Sequence, residues 1–213
     1  MTIDTPPRGW RGTPEIWLDA AYALLVESGV EAVKVMPLAA RLGLSRTSFY
    51  WHFADRDALL AGLLARWQAQ NTGSLVARCT APAATIAEAM LNLIDCWVDP
   101  RLFDSRLEFA IRTWALSDPA VAQALAAADT TRMEALADLF LRFGFDPTEA
   151  DTRARTLYLT QVGYIALKSD ESLATRMARI PAYVLVFSGQ APTPEEVTQF
   201  RARHADRLGA PKA

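Results

Sequence analysis

An all-α fold follows from three observations on the 213-residue sequence. Apolar residues recur three and four positions apart along most of the chain, which is helical spacing, and runs of β-branched residues at period two are missing. Helix starts recur with consistent chemistry: Thr13-Pro14-Glu15, Asp118-Pro119, Asp146-Pro147-Thr148-Glu149 and Thr193-Pro194-Glu195-Glu196 each join a capping side chain to a proline in the first turn. Short helices come first and long ones after, so a small three-helix unit is expected to precede a larger helical body.

The first helix opens at Thr13, carries Ile16, Ala20, Ala23 and Leu24, and stops at Gly29. Pro37 marks a second of about two turns, with Leu38, Ala39 and Leu42 on one face before Gly43. Ser45 caps a third over Arg46 to His52, and Asp55 a fourth through "RDALLAGLLARWQAQN" toward Gly73. Beyond Pro82, "ATIAEAMLNLIDCWVD" ends before Pro100, "RLFDSRLEFAIRTWAL" ends at Ser117, and "AVAQALAAADTTRMEALADLFLRF" is stopped by Gly144. Asp146 opens a long helix through Tyr158, Leu159, Val162, Tyr164, Ile165 and Leu167. The segment "SLATRMARIPAYVLVFSG" holds Pro181, expected to kink or divide it, and Thr193 starts a last polar helix that fades into a tail. The chain therefore divides into a small unit over 1–54, a connecting helix over 55–73 and a larger unit over 74–213.

With 51% hydrophobic residues, 22% charged and a net charge of −2, the chain is globular and not broadly basic, so any contact with DNA must come from a local patch. No window approaches the roughly eighteen consecutive apolar residues that span a bilayer, and "MTIDTPPRGWRGTPEIW" lacks the apolar run of a secretion signal. A cytoplasmic protein without membrane association is expected. Cys79 and Cys96 have neither CxxC spacing nor a neighbouring histidine and read as small apolar residues, so no metal or cofactor is expected. An enzyme is disfavoured: there is no GxSxG, HExxH or phosphate-cradling glycine loop, His204 falls in the polar tail, and Asp95 with Asp99 reads as a solvated helix face.

The chemistry concentrates at the second and third helices. In "LAARLGLSRTSFY" a small Ala39 lets two helices cross closely, Gly43 suits a left-handed stop, and Leu44 plugs beneath the turn. This is helix-turn-helix spacing, although a generic helical hairpin has the same ingredients. At about 100° per residue, placing Phe49 inward turns Thr47 and Trp51 outward, puts Ser48 and Tyr50 on the flanks and brings Phe53 back beneath Phe49. Leaving Trp51 exposed forgoes about 2 kcal/mol or more of burial, unless it packs on a neighbouring helix. From Ala32 to Ala54 there is no acid, while Lys34, Arg41, Arg46 and His52 lie inside. Such a face suits a DNA groove: hydroxyls and Arg46 can meet base edges and phosphates, and rings can touch thymine methyls or sugars.

The stretch "VKVMPLAARLGLSRTSFYWHFADRDALL" resembles the DNA-binding segment of the tetracycline-repressor (TetR) family, with its Tyr-x-His-Phe, two further residues, a basic residue and a closing leucine pair. "RTWALSDP" and "DTTRMEALADLF" resemble a common regulator subgroup. The resemblance implies that Arg46, Thr47, Ser48 and Trp51 face bases, that Tyr50 and His52 anchor phosphates, and that Arg56 holds a phosphate. Where the family opens its second helix with threonine, this chain has Lys34-Val35-Met36-Pro37, and Lys34 is the substitute charge contact.

The same resemblance implies a homodimer on a double-stranded DNA operator, with half-sites roughly 34–36 Å apart. Its interface is expected on the helix from Pro147 to Ser169 and the Pro181-to-Ser188 segment, through Tyr158, Val162, Gly163, Tyr164, Ile165, Tyr183, Val184, Leu185 and Phe187, unless these belong to the monomer core. It also implies a cavity for a small-molecule inducer, with Leu93, Trp97, Phe109, Arg112, Met133, Phe140, Tyr158 and Gln161 as candidate lining. Plain core is the alternative for these, and Arg112 could instead pair with Asp104, Glu108 or another acid. The expected function is a dimeric, ligand-responsive transcriptional regulator, a repressor released from a palindromic operator by its inducer. A DNA-binding dimer without sensing, or an all-α enzyme, are the alternatives.

Overall fold

Pro14 opens the first helix after Thr13, which stands at the N-cap without a side-chain cap hydrogen bond, whereas Thr85, Asp104, Asp118 and Asp146 each cap a later helix through a side-chain oxygen. The computed structural model describes residues 12–168 and 171–208, which contain no strand. Residues 1–11, residues 169–170 with Ser169 at the expected end of the long helix, and 209–213 lie outside the described residues. Helix α1 (Pro14–Ser28) ends at Gly29, and a tight turn over Val30–Ala32 leads to α2 (Val35–Leu42). Gly43 ends α2 in the left-handed conformation, φ 65° and ψ 27°, and the Leu44 amide donates back to the Ala39 carbonyl at 2.9 Å. The stop is the one expected of a helix-turn-helix.

Helix α3 (Arg46–Phe49) is one turn long and does not reach His52 as expected. Ser45 caps it by accepting the Ser48 amide. After Phe49 the chain tightens, with the His52 amide donating to the Phe49 carbonyl at 2.9 Å. The physical cause is local: a run of bulky aromatics is a poor helix former, and Asp55 must be extended to cap the next helix through the Ala58 amide.

The fourth helix was expected to stop near Gly73. Instead α4 (Arg56–Trp67) passes through a π-helical turn over Gln68–Gly73 into α5 (Ser74–Thr80). Gly73 is itself helical, at φ −59° and ψ −45°, because its neighbours pack on both sides and no left-handed stop is needed. Then follow α6 (Ile86–Val98), α7 (Ser105–Ala115), α8 (Pro119–Arg142), α9 (Pro147–Ala166), α10 (Leu173–Ser188), α11 (Pro194–Arg203) and α12 (Ala205–Leu208). Helix α7 starts four residues later than Arg101 because the Asp104 carboxylate accepts the Arg106 and Leu107 amides and so fixes the N-terminus. Pro181 does not divide α10. Met177, Ile180 and Val184 are buried on both sides of it, and their packing holds the helix across the missing hydrogen bond.

Two apolar cores result. One gathers Trp17, Leu25, Leu38, Phe49, Leu63 and Trp67 and continues into Leu107, Ile111 and Trp114 of α7, so the first helices rest directly on the larger body. The other is built on α6, with Leu75, Met90, Leu93, Phe140, Leu157 and Phe200. Asp95 and Asp99 are buried, which corrects the solvated face expected for them. Asp95 meets the buried His204 ring at 2.7 Å with Arg78 and Arg203 nearby, and Asp99 takes Arg101 and Arg207. These pairs dock the expected polar tail onto α6.

Candidate nucleic-acid interface

Helix α3 is held by rings. Phe49, fully buried, meets Trp17 edge-on with centroids 5.3 Å apart and stacks on Phe53 at 5.5 Å. Trp51, on the opposite side, is 61% exposed, and Arg46, Thr47 and Tyr50 are exposed beside it. His52 is half-buried. Arg46 is pre-set: its Nη2 donates to the Tyr50 hydroxyl at 3.2 Å, with the guanidinium 5.6 Å from the ring centroid. Lys34 stands exposed at the start of α2.

Two residues expected here are placed differently. Ser48 is buried, and its hydroxyl lies 3.0 Å from that of Ser45, so it belongs to the cap and presents nothing to a base edge. Arg56 donates from Nε to the Val33 carbonyl at 2.6 Å and from Nη2 to the Val30 carbonyl at 2.8 Å. Bonding two carbonyls of the turn before α2, of which Val30 also accepts the Val33 amide, occupies the guanidinium that was expected to hold a phosphate. Arg41, in the acid-free stretch, is neutralised by a bidentate pair with Glu27 at 2.8 Å, an acid 14 residues back that the local charge count overlooked.

Behind these helices lies a buried charge network, of which the sequence disclosed only that Arg112 could pair with Glu108 or another acid. Glu108 and Arg132 are fully buried and meet at 2.8 Å. Glu108 also accepts the Trp67 indole N–H at 2.6 Å and the Asn71 amide at 2.9 Å, and Arg132 donates to the Thr72 hydroxyl at 2.9 Å. Arg112 donates to Glu108 at 3.0 Å and forks onto Asp129 at 2.6 and 3.1 Å, while the Tyr158 hydroxyl donates to Asp129 at 2.6 Å. The network therefore clamps the π-helical turn of the connecting helix to α7, α8 and α9.

Burial alone would raise the Glu108 carboxyl, but the Arg132 and Arg112 guanidiniums override it and hold it below the usual carboxylate range. Its stabilisation is complete above the unfolded value of about 4.3 and is lost as pH falls through the lower folded value. Glu108→Gln is expected to flatten the acid limb of a stability-versus-pH curve measured by urea unfolding; an unchanged limb would contradict this role.

The network also corrects the expected cavity and interface. Arg112 and Tyr158 are spent in it, Leu93 and Phe140 are fully buried core, and Met133 packs against that core. None of the five borders the main cavity, a space of about 650 Å³ between α6, α7, α9 and α10 lined in part by Trp97, Phe109 and Gln161. Tyr158, Ile165 and Val184 are buried within this chain and offer no surface to a partner. Val162, Gly163, Tyr164, Tyr183 and Phe187 are half-buried, and a Cβ on Gly163 would meet nothing within 4 Å. The exposed large apolar residues of α9 and α10 are Leu159, Leu185 and Val186. Leu159 and Val186 were missed as surface candidates because periodicity alone does not say which flank of a broad apolar stripe the body covers. No described helix is long and apolar enough to cross a membrane.

The sequence profile of bacterial regulatory proteins of the tetR family matches residues 18–63, which run from α1 through most of α4. The tetracycline repressor protein class A from transposon 1721 of Escherichia coli is 40% identical over 58 residues, a match that spans 27% of this chain and 27% of that protein. Among solved structures, the chain is similar to Salmonella enterica GusR, with a TM-score of 0.59 at 16% identity, covering 98% of this chain and 100% of that one. It is also similar to the fatty acid degradation regulator FadR from Bacillus halodurans, at 0.60 and 16%, covering 86% and 97%. The third is SmeT, the repressor of the Stenotrophomonas maltophilia multidrug efflux pump SmeDEF, at 0.56 and 21%, covering 86% and 97%.

Proposed function

We propose that this chain, whose residues 18–63 match the tetR family of bacterial regulatory proteins, is a homodimeric repressor released from its operator by a small molecule. In this reading it acts as a DNA-binding transcriptional regulator rather than an enzyme, supported by the amino-terminal match. In the proposed reading, the unit up to residue 54 contacts DNA, the connecting helix transmits, and the rest senses and dimerises. Arg46, Thr47 and Trp51 read base edges, and Lys34, Tyr50 and His52 anchor the backbone. Leu159, Leu185 and Val186, with Val162, Gly163, Tyr183 and Phe187 beside them, form the dimer face.

The observation that carries the sensing part is the composition of the 650 Å³ cavity wall, which includes Val26 of α1 as well as residues of α7 and α9. An occupant there touches both the reading unit and the body, so it can favour one spacing of the two readers over another. Fluorescence anisotropy on the DNA upstream of the protein's own gene tests the whole reading. Salt-sensitive, sequence-selective binding is expected, weakened by a cavity ligand; a ligand that fills the cavity and leaves DNA affinity unchanged removes the sensing part. Arg46→Ala is expected to lower operator affinity and relax sequence preference, at a cost of about 1–3 kcal/mol on the specific site. Equal losses on operator and random DNA would reassign Arg46 to the backbone.

A further inference from the structure

We propose that the cavity between α6, α7, α9 and α10 takes an organic carboxylate with an aromatic or aliphatic body; this rests on the reading of the chain as ligand-responsive. The apolar part of the wall is plain: Trp97, Phe103 and Phe109 face the space with Ile165. The charged part is unbalanced. Arg106, Lys168, Arg176 and Arg207 line it against a single described carboxylate, Glu171.

Most guanidiniums elsewhere in this chain are matched to acids, as Arg112, Arg132 and Arg153 are. On this wall Arg207 is matched to Asp99 at 2.7 Å, and Glu171 Oε1 is taken by Arg179 from outside the cavity while its Oε2 is buried without a hydrogen-bond partner. Arg106, Lys168 and Arg176 have no ion pair among the described residues. In a chain of net charge −2, three unmatched cations on one concave surface make a local field that favours an anion.

Two of the cations are positioned rather than loose. The Lys168 ammonium lies 4.1 Å from the centroid of the Phe109 ring, and Lys168 has a left-handed backbone, φ 49°, unusual for a side-chain-bearing residue. Arg176 donates one Nη2 bond to the Trp97 carbonyl at 3.0 Å. The Trp97 indole N–H is buried with no hydrogen-bond partner. A space of this size accommodates a drug-sized molecule, so a bare inorganic anion would leave the aromatic wall uncovered. A carboxylate at Lys168 and Arg176 with its body on Phe109 and Trp97 satisfies both halves, whereas an amine would meet like charge.

Isothermal titration of the full-length protein with decanoate and phenylbutyrate, each against its alcohol and its primary amine, tests this. The carboxylates are expected to bind about tenfold or more tighter than the alcohols, with affinity falling as salt rises. Lys168→Gln should lower carboxylate affinity about fivefold and alcohol affinity much less, and Lys168→Arg should retain the carboxylate preference. Alcohols or amines equal to the carboxylates, no binding by any probe, or a Lys168→Gln effect shared by acid and alcohol would each overturn the proposal. Operator release is read in parallel. Carboxylate binding without release counts against the ligand-responsive reading and leaves the carboxylate site standing, whereas release by the alcohol or amine alone does the reverse.

Discussion

Replacing Glu108 with alanine is expected to lower the unfolding free energy by about 3–5 kcal/mol, because it leaves Arg132 buried without its counter-charge. The loss reaches further than the pair, since the Trp67 indole N–H loses its acceptor and the Asn71 amide keeps only the Asp104 carbonyl. For a chain of this length the melting temperature should fall by about 10 °C. Urea unfolding followed by circular dichroism measures it, and a change below about 1 kcal/mol would show that water or a rearranged Asp129 replaces the carboxylate. Mutating both charges to apolar residues should recover much of the stability, because the cost lies in an orphaned charge more than in the pair's absence. Whether DNA affinity recovers with it separates stability from transmission: the double variant still lacks the clamp between the π-helical turn and α7, so its affinity is expected to stay low.

The second large effect is a contrast between two aromatic residues two positions apart. Phe49→Ala removes a fully buried ring packed on Trp17 and Phe53 and should cost about 3–5 kcal/mol, with loss of specific DNA binding because α3 is no longer held. Trp51→Ala removes a largely exposed ring, so stability should change by about 0.5 kcal/mol or less while operator affinity drops about tenfold. Thermal melts and anisotropy on the same two variants decide it. A Trp51→Ala variant as unstable as Phe49→Ala would mean that the ring is structural, and base reading would then rest on Arg46 and Thr47.

That contrast also shows what the sequence disclosed. Rotation by 100° per residue put Phe49 inside and Trp51 outside even though the helix ends after one turn, because the tight turn that follows keeps nearly the same angular step. Caps were legible for the same reason of locality: Asp146, Asp118 and Thr193 each act on amides two or three residues away. What failed depended on distant partners. His204 reads as tail until Asp95, 109 residues earlier, is seen to hold it. Arg56 reads as a phosphate anchor until the Val30 and Val33 carbonyls turn out to be within reach. Arg132 lies on an ordinary amphipathic helix, and only the folded chain shows that its carboxylate partner is on another helix and that both are dry.

The π-helical turn over Gln68–Gly73 has a consequence for length variation in this chain. Such a turn holds one residue more than the α-helix it interrupts, so the connecting helix carries slack at one place. Losing exposed Ala69 can be absorbed there by tightening to ordinary helix, with Trp67 still in phase with the residues before it and Leu75 with those after. Losing a residue within Arg56–Trp67 has no such reserve and rotates the reading unit about 100° against the body. The chain can thus shorten between its two cores without re-aiming its readers only at the turn that Glu108 and Arg132 grip.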